Sequence, residues 1–161
     1  MGLTLTIDSQ LWIYYFDTNA QENPNVQKWM REVIPHSKIW ISSIIPMEVA
    51  HNLYKVTNLG KEDIEKLLIK WITHENIFII DTNHQILLIA FDLLKSYRNM
   101  GIGGRDCLIL ASMLVKEIDT IATHDKNILN LDGWNRIDPV LNPPLKLVKG
   151  EKLDMTVFEK I

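Results

Sequence analysis

Residues 103–125, GGRDCLILASMLVKEIDTIATHD, decide how this chain is read. Two glycines open the stretch, and Asp106 then leads apolar residues at helical spacing as far as about Ile118. Thr120–Thr123 follows as a short strand, and Asp125 stands just past it. The unit is therefore a helix running into a strand, with an acid at each end. Helices alternating with strands build a parallel sheet covered by helices. In such a sheet, ligands bind beyond the carboxyl ends of the strands.

The rest of the chain repeats the pattern. LTLTID (residues 3–8) is a β-branched run that ends on Asp8, and Ser9–Phe16 begins a helix. After the polar DTNAQENPN, Asn25–Ile34 places Val26, Trp29, Met30 and Val33 on one helical face. KIWIS (Lys38–Ser42) reads as the second strand, with Ser42 and Ser43 as helix caps ahead of Ile45–Val56. Lys61–His74 is amphipathic, residues 77–81 (IFIID) form the third strand, and Asn83–Asn99 forms a long helix. A fifth strand is expected at Trp134–Ile137. The expected fold is α/β: an α/β/α sandwich around a mostly parallel sheet of four to five strands. Residues 1–140 would form this domain. The Pro-rich DPVLNPPL would end compact structure, leaving residues 141–161 as an extension or tail.

Composition narrows the function. A chain of 161 residues that is 47% hydrophobic and 23% charged suits one soluble domain, and no apolar run is long enough to span a membrane. Cys107 is the only cysteine, which excludes an internal disulfide and a Cys-based zinc site and fits a reducing cytoplasm. The net charge of −3 argues against a protein that coats nucleic acid non-specifically.

Four acids stand in apolar surroundings: Asp8, Glu48 within IIPMEVAHNL, Asp106 and Asp125. A buried carboxylate needs a partner or it takes up a proton. No comparably placed set of four Lys or Arg is available to pair them. Two carboxylates about 4 Å apart repel by roughly 4 kcal/mol at an effective dielectric near 20. A shared Mg²⁺ or Mn²⁺ reverses that balance, because hard cations prefer carboxylate oxygen. Such an ion activates water for phosphodiester cleavage. Ser9, Thr123 and Asn127 are placed to orient ligands or waters behind the acids. Arg105 and Lys126 flank two of them and are candidates for substrate phosphates.

TIDSQLWIYYF, ISSIIPMEVAHNL and GGRDCLILASMLVKEIDTIATHDKNIL together resemble the PIN-domain proteins, and within them the VapC-type toxins of toxin–antitoxin pairs. The resemblance implies an α/β/α sandwich and a ribonuclease using one or two Mg²⁺ or Mn²⁺ ions. It also implies an RNA substrate, an antitoxin partner and a homodimer. Its four acidic positions fall on Asp8, Glu48, Asp106 and Asp125, and its helper hydroxyl on Thr123. Many relatives carry a further Asp where this chain has Asn127, which leaves the number of ions open.

Other readings are weaker. GIGG lacks the Lys-Ser/Thr of a phosphate loop and follows no strand. His124 beside Asp125 has no second His or Cys at ligand spacing and is expected exposed beside the site. Gln10 occupies the position where a receiver or a haloacid-type phosphatase wants a second acid. Two alternatives stay open: a PIN-like module that binds RNA or protein without cutting, and a housekeeping RNA-processing nuclease.

Overall fold

β1 (Thr4–Ile7) is enclosed on both faces, with Leu5, Thr6 and Ile7 at most 1% exposed. A central parallel strand needs this near-continuous apolar character. In the computed structural model, which describes residues 2–159, the neighbours of β1 follow from that enclosure. β2 (Lys38–Ser42) pairs with it in parallel, Thr4 opposite Lys38, and β3 (Ile77–Ile80) lies parallel beyond β2. On the other side β4 (Thr120–Ala122) sets Ile121 opposite Thr6, and β5 (Asn135–Asp138) continues in parallel. β6 (Leu145–Leu147) closes that edge antiparallel to β5. The order is β3-β2-β1-β4-β5-β6, so the chain reverses its direction of travel across the sheet between β1 and β4.

The helices flank this sheet. α1 (Ser9–Phe16) packs on α2 (Asn23–Val33) and α3 (Ile44–Val56), and α3 in turn packs on α4 (Lys61–Ile72). α5 (His84–Tyr97) packs on α6 (Gly104–Val115). A one-turn α7 (Lys126–Leu129) follows β4, and a 3-10 turn spans Met155–Phe158. Trp12 sits at 4.9 Å from Trp71, measured between ring centroids, and Phe16 at 5.4 Å, so the Tyr14-Tyr15-Phe16 region joins α1 to α4 as part of the core. Cys107 is fully buried, as a small core residue would be. Among the described residues no helix is long and apolar enough to cross a membrane.

Three expectations need correction. The chain does not leave the compact structure at its prolines: it returns as β6, making six strands rather than four to five. The reason lies in Arg136, whose guanidinium is fully buried and donates to the carbonyls of Val148 and Glu151, drawing the last segment against the sheet. α2 starts two residues early, because the Asn23 side chain donates to the carbonyls of Tyr14 and Tyr15 and satisfies the end of α1. Ser43 stands at the N-cap position of α3, but neither its hydroxyl nor that of Ser42 makes a capping hydrogen bond. The Ser43 hydroxyl pairs with that of Thr82 at 3.2 Å, and the Ser42 hydroxyl is buried without a partner.

Candidate metal centre

The reversal between β1 and β4 opens the sheet at its carboxyl edge, and Asp8 stands there as the cap of α1. Its N–H donates to the Ala122 carbonyl at 2.9 Å, tying it to β4. The side chain is 2% exposed. Oδ1 accepts from the Ser9 N–H at 2.8 Å and from Arg105 Nη2 at 3.0 Å, while Oδ2 accepts from Thr123 Oγ1 at 2.9 Å. Burial pushes the Asp8 carboxyl above its usual range, and Arg105, Thr123 and Ser9 recover only part of that cost.

Asp106 enters from the first turn of α6, where its Oδ2 accepts from the Gly103 N–H at 3.4 Å. A carboxylate there also gains from the helix dipole. Glu48 enters from α3, which leaves the carboxyl end of β2. Arg105 lies between these acids. Its Nη1 donates to Asp106 Oδ1 at 2.5 Å, its Nε to Glu48 Oε2, and its Nη2 to both Asp8 and the Ser9 hydroxyl. Burial pulls the guanidinium toward neutrality, but Asp8, Asp106 and Glu48 outweigh it and hold its pKa above the ordinary arginine value. No set of four Lys or Arg was expected to pair the acids, and none is needed for three of them: one guanidinium meets all three. A planar fork with several donors can do what a set of lysines would otherwise be needed for.

Asp125 joins the same edge by a different route. It caps α7, accepting from the Asn127 N–H at 2.8 Å, and its own N–H donates to Thr123 Oγ1 at 3.0 Å. Thr123 thus bridges the Asp125 backbone to Asp8. Among the described residues, no hydrogen bond or ion pair joins the Asp125 carboxylate to the other three acids. The Asn127 side-chain amide donates to the Gly101 carbonyl at 3.3 Å. Gly101 has φ +72°, and a Cβ there would stand 2.6 Å from the Asn127 amide, so the turn before α6 and the start of α7 need a glycine between them. The Lys126 ammonium lies 4.8 Å from the centre of the Phe158 ring.

His124 is not free beside the site. Its Nδ1 pairs at 2.8 Å with Asp138 Oδ2, and that hydrogen bond holds its pKa above the ordinary histidine value. Asp138 is fully buried at the carboxyl end of β5 and is a fifth acid on this edge. Its signal was present, an acid ending a strand like Asp8, but the prolines after it mark a chain leaving the fold.

The donor set suits a hard divalent cation. Three carboxylates face one guanidinium, a formal deficit of two positive charges, and Glu48 Oε1 is buried without a hydrogen-bond partner. As they stand, spaced by the arginine fork, no three His, Cys, Asp or Glu side chains among the described residues form a ready ligand group. Thr123→Val tests the support behind Asp8, since it removes one donor to Asp8 and one acceptor for the Asp125 N–H. We expect a loss of about 1–3 kcal/mol in urea unfolding. A loss under ~0.5 kcal/mol would mean that water replaces the hydroxyl.

The sequence matches the PIN domain family profile over residues 5–133. No curated protein matches it in sequence. Among solved structures, VapC20 of Mycobacterium tuberculosis, described as a Sarcin-Ricin loop cleaving toxin, superposes with a TM-score of 0.63 at 11% identity, covering 73% of this chain and 86% of that one. VapBC-1 from nontypeable Haemophilus influenzae gives 0.63 at 17% identity, covering 86% and 99%. FitAcB from Neisseria gonorrhoeae gives 0.55 at 16% identity, covering 76% and 88%.

Proposed function

The chain belongs to the PIN domain family, and from that premise we propose that it is an endoribonuclease dependent on Mg²⁺ or Mn²⁺, the toxin of a toxin–antitoxin pair. The observation that carries this reading is the convergence of Asp8, Glu48 and Asp106 on one cation at the switch point of the sheet. Asp8, Glu48, Asp106 and Asp125 would hold one or two ions. Such a metal supplies a water activated for in-line attack on phosphorus and stabilises the leaving oxygen. Thr123 and Ser9 orient Asp8, and Asn127 sets the α7 cap that presents Asp125. Arg105 and Lys126 are the cations within reach of a substrate phosphate at this edge, and RNA is the proposed substrate.

The partner is proposed to be an antitoxin, in keeping with the toxin–antitoxin complexes among the structures this fold resembles. Leu88 and Phe91 on α5 are 51% and 63% exposed, which supports a protein contact such as a homodimer. The proposed location is the cytoplasm.

A second reading is favoured by one observation. Because Arg105 already pairs three of the acids, part of the charge at the centre is compensated without metal, as a non-cutting binding module would require. Cleavage of a mixed RNA pool with Mn²⁺ or with EDTA, alongside Asp106→Asn, separates the two. We expect cutting only with metal and none by the variant. Cutting in EDTA, or undiminished cutting by Asp106→Asn, would remove the metal reading. A folded, metal-binding chain that cuts nothing would favour the module.

A further inference from the structure

The two buried or half-buried arginines whose contacts are described differ in what they hold. Arg136 is fully buried and gives all its hydrogen bonds to backbone carbonyls. Arg105 gives all of its own to the side chains of Asp8, Ser9, Glu48 and Asp106, and its side chain is 34% exposed. The first is a structural brace. The second rests on three acids and the Ser9 hydroxyl, with no hydrogen bond to a backbone carbonyl among the described residues.

We propose that Arg105 is an exchangeable cation: it stands in for the divalent ion in the metal-free chain, holds the acids together, and leaves when metal binds. The proposal rests on the metal-nuclease reading above. Nothing described blocks the departure. Arg105 belongs to the first turn of α6, and a Cβ at Gly103 or Gly104 would meet nothing within 4 Å beyond the adjoining chain itself. The two glycines before it thus leave open space on their side of the turn, and its 34% exposed stem has solvent to swing into.

The geometry also gives a reason for exchange rather than coexistence. Guanidinium nitrogens lie 2.5 Å from Asp106 and 3.0 Å from Asp8. Mg²⁺ asks for oxygens at about 2.0–2.1 Å from a single centre. With the fork in place no three carboxylates among the described residues are gathered as a ligand group, so the ion and the fork compete for the same oxygens. Glu48 Oε1, left without a partner under the arginine, is an oxygen that the tighter arrangement would use. Apparent metal affinity is then the intrinsic affinity multiplied by the fraction of chains in which Arg105 has withdrawn.

Manganese binding, followed by loss of the free-ion EPR signal, is compared for the wild type, Arg105→Gln and Arg105→Lys, with thermal unfolding of each in EDTA. Arg105→Gln is expected to bind Mn²⁺ at least tenfold more tightly, to melt lower than the wild type in EDTA, and to recover when metal is added. Arg105→Lys, a point charge that cannot bridge three carboxylates, is expected to fall between. Equal or weaker Mn²⁺ binding by Arg105→Gln overturns the proposal while leaving the metal reading intact. Tighter binding with unchanged melting in EDTA also overturns it, because Arg105 would then act only as a nearby charge. If no form binds Mn²⁺, the metal reading fails and takes this proposal with it. Should Arg105→Gln not fold even with metal, Arg105→Lys decides, and affinity no tighter than wild type overturns the exchange.

Discussion

Asp8→Asn is expected to lower RNA cleavage about a thousandfold while leaving the fold within ~1 kcal/mol of wild type. The two effects separate because of how Asp8 is held. Asn retains one oxygen to accept from the Ser9 N–H and Arg105, and its amide can donate to Thr123, whose hydroxyl serves as donor or acceptor. The negative charge is what disappears. Burial already makes that charge a cost to the fold, since it holds the carboxyl above its ordinary range. Removing it therefore relieves the fold as much as it weakens the Arg105 contact. A metal ligand, by contrast, has no substitute in a neutral amide. Each tenfold in rate is about 1.4 kcal/mol at the transition state, and a lost metal contact is worth several. Parallel urea unfolding and RNA cleavage at matched metal concentration test this. Cleavage within tenfold of wild type would remove Asp8 from the centre, whereas loss of cleavage with a fold weakened by ~3 kcal/mol would make its role structural.

The parts of this arrangement that local pattern encodes were legible in the sequence. β1 and β4 are short apolar runs that end next to acids, and α6 has helical spacing behind a glycine pair, so the parallel sheet and its carboxyl edge follow from periodicity. Asp8, Glu48 and Asp106 meet because the topology brings a strand end and two helix starts to that edge. The position of Arg105 was not legible. An arginine next to an acid is ordinarily a solvated flank, and only the three-dimensional closeness of Asp8 and Glu48 turns its fork inward. Asp125 has the right edge but, among the described residues, its carboxylate shares no hydrogen-bond or ion-pair partner with the other carboxylates, a distinction that spacing cannot express. Asp138 and β6 were hidden by the prolines between them. Proline forbids a central strand but permits an edge one reached through a turn, and β6 is an edge.

Arg136→Met is expected to destabilise the chain by about 3–5 kcal/mol, the largest stability loss of any single change considered for this protein. Methionine replaces most of the stem but none of the donors. The Leu129 carbonyl loses a bond of 2.5 Å and that of Trp134 one of 2.8 Å, while those of Val148 and Glu151 lose bonds of 3.1 and 2.6 Å. Each buried carbonyl left unpaired costs about 1–3 kcal/mol, although the two beyond β6 can reach water if the segment lifts away. That lifting is the second expected effect. The segment carries the Phe158 ring, whose face lies by Lys126 and which meets His124 in a T-shaped pair at 6.4 Å, so its release would expose the rim of the acidic edge. Limited proteolysis should accordingly cut Arg136→Met after residue 147 while the wild type resists. Lys149→Ala serves as the control: its exposed pairing with Asp119 at 3.5 Å should contribute less than ~0.5 kcal/mol. A loss below ~1 kcal/mol in Arg136→Met, with unchanged proteolysis, would mean that the strand pairing of β6 with β5 holds the segment without its arginine brace.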